Sequence, residues 1–119
     1  MNLNGVMIGT DDPKKLVGFY TKLFGDPTWD EGGYTGWQIG TGGLMIGAHD
    51  HVKGTNTEPG RLLWGVESAD VQADFERFRD AGAEVVKEPY KPSDEAEMLI
   101  ATLADPDGNY FQVLSEMSM

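Results

Sequence analysis

Few side chains in this 119-residue sequence could carry covalent or metal chemistry, and their spacing narrows the choice. There is no cysteine, so disulfides, thiolate metal sites and cysteine nucleophiles are excluded. The two histidines, His49 and His51, stand in a polar stretch, as a solvated loop or as a weak two-donor metal site. Asp94, Glu95 and Glu97 offer paired acids, but their Pro-flanked setting predicts a solvated face. Gln112 is the sharper candidate. It follows Asp105-Pro106-Asp107-Gly108-Asn109, a turn in which Pro presets one backbone angle, Asp bonds back to the backbone and Gly tolerates positive φ. In the strand expected after it, Tyr110, Gln112 and Leu114 point to one face and Phe111, Val113 and Ser115 to the other. An amide there either orients a guest or satisfies neighbouring backbone. No phosphate loop is present, since Gly40, Gly42 and Gly43 lie in a turn between strands with no helix following, and there is no Gly-x-Ser-x-Gly elbow.

The elements that must position these residues follow from periodicity and punctuation. Leu3 to Gly9 predicts a strand with Val6 and Ile8 on one face and Leu3, Gly5 and Met7 on the other. Asp12 before Pro13 is the order of an N-cap and a first helical residue, and Leu16, Phe19, Tyr20 and Leu23 recur at helical spacing before Gly25. A weak strand at Thr28 to Asp30 and clearer ones at Tyr34 to Ile39 and Leu44 to Ala48 complete a β-α-β-β-β unit. A polar linker, 49–60, follows. Arg61 to Glu67 then predicts a strand, and Ser68 or Asp70 can cap a helix carrying Val71, Phe75 and Phe78 before Gly82. Ala83 to Lys87 is a strand, Pro89 to Pro92 a loop, and Met98 to Leu103 with Asn109 to Leu114 a closing hairpin. The second half repeats β-α-β-β-β at an offset of about 58 residues, with Asp12 matching Asp70 and Gly25 matching Gly82.

Twenty acidic against nine basic residues give a net charge of −11, which argues against nucleic acid as a partner. Acidity keeps the chain soluble and favours encounter with neutral or cationic small molecules. No apolar run reaches the length of a membrane span, and no secretory signal opens the sequence, so the expected location is the cytoplasm, with no membrane partner.

The paired βαβββ units, the Asp-Pro-Lys-Lys-Leu-Val-Gly-Phe-Tyr run at 12–20, the Phe-Glu-Arg-Phe-Arg-Asp-Ala-Gly-Ala-Glu-Val run at 75–85 and the terminal Asp-Pro-Asp-Gly-Asn strand together resemble the vicinal oxygen chelate superfamily. That superfamily includes glyoxalase I, extradiol dioxygenases, and fosfomycin and bleomycin resistance proteins. The resemblance implies an α+β fold of two βαβββ modules (1–48 and 61–119 within one 1–119 domain). Each is a curved mixed sheet covered by one helix, and the two form a cup-shaped cavity.

In metal-using members, the resemblance implies, His, Gln or Glu ligands from four strands meet in the cup. Here those positions fall on Gly5, Leu63, Gln112 and, by a looser alignment, near Gly47, with His49 two residues on. Gly5 and Leu63 carry no donor, and a catalytic metal needs about three protein ligands. The family's metal site is therefore expected to be dismantled, with no cofactor. Gly5, Gly9, Gly47 and Gly65 share the parity of the lost ligands. They either leave room for a guest or answer sheet curvature. Gln112 and Glu67 fall on the same face. The candidate ligand-binding set is Gln112, Glu67, Gly5, Leu63, Gly65, Gly47, Met7, Tyr110 and His49. The expected function is metal-independent small-molecule binding by a homodimer. The alternatives are a metal-dependent lyase, isomerase or dioxygenase of the superfamily, and a non-catalytic scaffold. Trp64, by its helix-facing parity, and Tyr20 are expected in the core, and Trp37 in the core or the cavity wall.

Overall fold

A computed structural model describes residues 1–116. The chain divides into two compact units, Met1–Thr55 and a second beginning at Asn56, each built around one four-stranded sheet and one helix.

The first module contains β1 (Gly5–Thr10), α1 (Pro13–Phe24), β2 (Trp29–Glu31), β3 (Tyr34–Ile39) and β4 (Gly42–Ala48). Its strand order is β1-β4-β3-β2, with β1 parallel to β4 and the other pairs antiparallel. Helix α1 starts where Asp12 accepts the N–H of Lys15 and Pro13 supplies a preset φ; it stops at Gly25, whose φ of 84° suits glycine. Its apolar stripe, Leu16, Phe19, Tyr20 and Leu23, is buried against Ile8, Trp37, Leu44 and Ile46. Side chains of this size each contribute roughly 1.5–3 kcal/mol on full burial. The Trp37 indole N–H donates to Gly25 O at 2.8 Å, which ties the helix end to β3. Tyr20 is thus a core residue, as its helical spacing predicts, and Trp37, which the sequence left between core and cavity wall, is core as well.

The second module contains β5 (Trp64–Ser68), α2 (Val71–Asp80), β6 (Glu84–Tyr90), β7 (Ile100–Ala104) and β8 (Tyr110–Ser115), in the order β5-β8-β7-β6. Asp70 caps α2 by accepting from Ala73 N, and Val71, Phe75 and Phe78 face the sheet. Trp64 stacks on Phe111 at 5.2 Å between centroids, on the helix side. The Asp-Pro-Asp-Gly-Asn turn joins β7 to β8. The buried Asp105 carboxylate accepts the backbone N–H groups of Asp107 (2.9 Å) and Asn109 (3.0 Å) and the Asn109 amide (3.0 Å). Asn56 fastens the linker to this turn through Asp107 O and Asn109 Oδ1.

Several boundaries differ from the sequence expectation: β1 starts at Gly5 and not at Leu3, β7 starts at Ile100, and β4 starts at Gly42, so that of the three glycines expected in the turn only Gly40 lies there; the larger differences are in β5 and β6. β5 begins at Trp64, because Pro59–Arg61 forms a 3₁₀ turn closed by the Arg61–Glu58 ion pair, so Leu63 precedes the strand and lies 44% exposed. β6 continues through Pro89 to Tyr90. It is an edge strand with register shifts on either side of Lys87, and an edge tolerates a residue without an N–H. Asp94, Glu95 and Glu97 are exposed. Among the described residues no helix is long and apolar enough to cross a membrane.

Candidate functional site

Each helix covers one face of its sheet, and strand parity assigns the residues of the other face. In the first module the register forms three rows. Gly5, Gly43 and Gln38 make the first; Met7, Met45, Gly36 and Trp29 the second; Gly9, Gly47, Tyr34 and Glu31 the third. Over the first two rows lies a cavity of about 420 Å³, lined by Asn4, Gly5, Val6, Met7, Trp29, Gln38, Thr41, Gly42, Gly43 and Met45. Its walls are thioethers, an indole and glycine backbone, with the amides of Asn4 and Gln38 at hand. A mostly apolar concavity with a few placed polar groups is the usual form of a small-molecule site.

The glycines of this face do not leave the empty floor that removal of side chains suggests. A Cβ on Gly36 would run into the Trp29 indole; one on Gly47 would lie 2.6 Å from the Tyr34 ring, and one on Gly9 2.8 Å from His49 Cβ. In the second module a Cβ on Gly65 would meet Leu114 Cδ1, and on Gly5 the obstacle is Gly43 O. Glycine at these places admits the chain's own side chains and backbone. The opening that remains sits beside Gly5, Gly42 and Gly43.

The open face of the second module is more polar. Gly65, Gln112, Thr102 and Lys87 occupy one row across four strands, with Glu67 beside Leu114 and Tyr110 beside Ala104. Gln112 Nε2 donates to Thr102 Oγ1 at 3.3 Å, so the amide has a side-chain partner, not a backbone one. Lys87 Nζ lies 5.2 Å from the centre of the Tyr90 ring.

The repeat fixes which positions of the two modules correspond. Thr10 Oγ1 and Ser68 Oγ each accept the N–H of the following cap residue, Asp12 or Asp70, at 3.0 Å. Counting back, Met7 corresponds to Gly65, and their register partners are Met45 and Gln112. The counterpart of Gln112 is therefore Met45; the looser alignment to Gly47 is displaced by two residues. With Gly5 and Leu63 carrying no donor, the superfamily's metal positions then offer one thioether, Met45, and one amide, Gln112, a set with no charge to offset a divalent ion. His49 does not mend it. It stands exposed past the end of β4, its Nδ1 accepting the N–H of His51 at 3.1 Å, and adds at most one donor to a set that needs about three. Among the described residues no group of three or more His, Cys, Asp or Glu could hold a metal ion. The residues do not fit the family's catalytic metal.

Of the candidate set, Gly5 and Met7 line the cavity and Gly47 lies on the same face. Gly65, Glu67, Tyr110 and Gln112 share the second module's open face; Leu63 and His49 flank strands as exposed residues. Sequence reasoning missed Trp29, Gln38 and Met45. Parity alone could have found Met45, two residues before Gly47. Trp29 needed the antiparallel pairing that sets it opposite Gly36.

Solved structures share this architecture. A glyoxalase-related enzyme from Fulvimarina pelagi is 19% identical, with a TM-score of 0.75 over 98% of this chain and 88% of that one. A glyoxalase/bleomycin resistance protein from Albidiferax ferrireducens T118 is 22% identical, with a TM-score of 0.73 over 96% and 98%. A glyoxalase/bleomycin resistance protein/dioxygenase family enzyme from Burkholderia phytofirmans PsJN is 22% identical, with a TM-score of 0.72 over 98% and 100%. At such identities the likeness is one of fold. No curated protein matches the chain. The profile of the glyoxalase-like domain matches residues 5–114, and the chain belongs to that family, within the vicinal oxygen chelate superfamily its motifs and its two βαβββ modules resemble.

Proposed function

We propose that the protein binds a small molecule on the helix-free face of its first module without a metal ion, holding the ligand and not converting it. The observation that carries this reading is the cavity of about 420 Å³ walled by Met7, Met45 and Trp29, on a face whose metal positions lack charged donors. Thioethers adapt to varied apolar shapes, and an amide beside them sets orientation. The net charge of −11 favours neutral or cationic ligands at the encounter stage. The protein is proposed to act as a homodimer in the cytoplasm, where a chain without cysteine has nothing to lose to a reducing environment.

Elemental analysis of protein purified without a metal-affinity tag, combined with a thermal-shift screen, tests the reading. Far less than one equivalent of zinc, iron, nickel or manganese is expected, with no change in Tm on adding chelator. Stoichiometric metal that disappears on substituting Gln112 would refute metal independence and point to a lyase, isomerase or dioxygenase of the superfamily.

A further inference from the structure

Asn4 and Gly5 stand at the start of the first module's sheet, and both line its cavity. The chain has four asparagines, Asn2, Asn4, Asn56 and Asn109, and only Asn4 precedes a glycine. That order matters chemically. Glycine lacks the Cβ that would screen its nitrogen and moves most freely in φ and ψ, so its backbone nitrogen reaches the side-chain carbon of the preceding residue with least hindrance.

The fold leaves this nitrogen open. Asn4 O accepts the N–H of Gly43 at 3.1 Å, which turns the Asn4 carbonyl toward β4. The peptide bond is trans, so the N–H of Gly5 points the opposite way. β1 is the outer strand of its sheet, with β4 on its one hydrogen-bonded side. Gly5 N–H is therefore aimed off the sheet edge, outside the β1–β4 ladder, and Asn4 and Gly5 are both exposed. The same place demands glycine, because a Cβ on Gly5 would run into Gly43 O.

We propose that Asn4-Gly5 is a modification site, at which the asparagine converts to aspartate and isoaspartate by intramolecular deamidation. Gly5 N gives its proton to solvent and forms a bond to Asn4 Cγ; the bond from Cγ to the side-chain nitrogen breaks, and that nitrogen leaves as ammonia. Water then adds to either carbonyl of the five-membered imide and breaks that carbonyl's bond to the ring nitrogen. One water is consumed and one ammonia released, with no oxidation or reduction. Opening one way gives aspartate. Opening the other way gives isoaspartate, in which the main chain runs through the β-carbon and is one atom longer beside the bond that joins Asn4 O to Gly43 N. Resting on the small-molecule reading above, this step regulates the cavity: no acidic, basic or histidine side chain lines it, and the product is the first carboxylate there. The new charge works against anionic ligands and favours cationic ones.

Peptide mapping by mass spectrometry follows the full chain in mildly alkaline buffer, folded and in urea, with isoaspartate counted by an isoaspartate-specific methyltransferase. Asn4 should convert at least about tenfold faster than Asn2, Asn56 or Asn109, and in the folded chain no more than about tenfold slower than in urea. The rate should rise with pH, because the attacking nitrogen must lose its proton, and Asn4→Gln, whose longer side chain disfavours the ring, should suppress the event. Folded Asn4 that reacts no faster than the other asparagines, or that is protected beyond this margin relative to urea, would overturn the site. The cavity has its own readout. N-phenyl-1-naphthylamine and its anionic counterpart 1-anilinonaphthalene-8-sulfonate share a skeleton, and in Asn4→Asp the ratio of neutral to anionic affinity should rise about threefold at low salt. An unchanged ratio would overturn the regulation. If neither dye binds the parent chain, the regulation and the small-molecule reading fall together, while the mapping decides the modification site by itself.

Discussion

The glycines of the first module's open face allow a matched pair of substitutions with opposite expected signs. Gly36→Ala and Gly43→Ala each add one methyl to neighbouring strands, β3 and β4, and each reduces the conformational freedom of the unfolded chain, which alone stabilises by about 0.4–1 kcal/mol. At Gly43 the new Cβ would sit 3.5 Å from Trp29 Cη2 and 3.8 Å from Trp37 O, ordinary contact distances. Nothing has to move, so the variant should be more stable than the parent by roughly 0.5–1 kcal/mol. At Gly36 the Cβ falls on the indole of Trp29, and the ring must leave the sheet. Forcing a side chain aside in this way costs about 1–3 kcal/mol, which outweighs the backbone gain and leaves a net loss of roughly 0.5–2 kcal/mol. Urea unfolding with unchanged m-values should separate the two variants by about 1–3 kcal/mol. A double-mutant cycle locates the cause: in a Trp29→Leu background the penalty at Gly36 should largely vanish, because its source has gone. Gly36→Ala as stable as Gly43→Ala, or a penalty that survives removal of Trp29, would refute the argument.

Other expectations concern the second module and the assembly. Asp105→Ala strands the buried N–H groups of Asp107 and Asn109 and should cost about 2–4 kcal/mol in urea unfolding, whereas Asp105→Asn, which keeps an acceptor, should lose about half as much; equal losses would show that the carboxylate's bonds are not what holds the turn. Gln112→Leu deprives the Thr102 hydroxyl, 7% exposed, of its partner, so it should destabilise by about 1 kcal/mol, and Thr102→Val in the same chain should recover most of that. Light scattering at micromolar concentration should report twice the 13.0 kDa chain mass, and a particle of 13.0 kDa would sink the proposed homodimer.

Elements governed by local rules could be read from the sequence, and features that depend on which side chain lies over which strand could not. Asp12 with Pro13 announces a helix that begins as expected, and of Ser68 and Asp70 the structure makes Asp70 the cap of the second, since capping depends on residues within one turn. Strand parity placed Ile8, Trp64 and Phe111 on the helix sides for the same reason, a period of two that needs no knowledge of partners. The glycines show where this stops. Sequence gives the absence of a Cβ at 36, 47 and 65 but not its beneficiary, because Trp29, Tyr34 and Leu114 reach those places across strand pairings. The start of β5 failed similarly: Pro59–Arg61 forms a 3₁₀ turn in which Arg61 N donates to Glu58 O at 3.1 Å, and the paired residues of β5 start only at Trp64.

The repeat shows how far two copies of one plan have diverged in use. Thr10 and Ser68 hold the same hydroxyl-to-cap bond, and Asp12 and Asp70 cap corresponding helices, so the helix starts keep one plan. The open sides do not. At corresponding register positions one module has Met7 beside Met45 and the other has Gly65 beside Gln112. Burial against a helix constrains residue type through packing, and a mismatch there costs stability directly. An open face is constrained only by what it meets. The first module's thioethers and indole, against the amide, hydroxyl and ammonium of Gln112, Thr102 and Lys87 in the second, are therefore where the two halves differ in side-chain chemistry. An apolar platform supplies affinity through area and a polar row supplies orientation. Exchanging Met45 and Gln112 for each other's side chain should accordingly impair ligand binding more than it impairs folding.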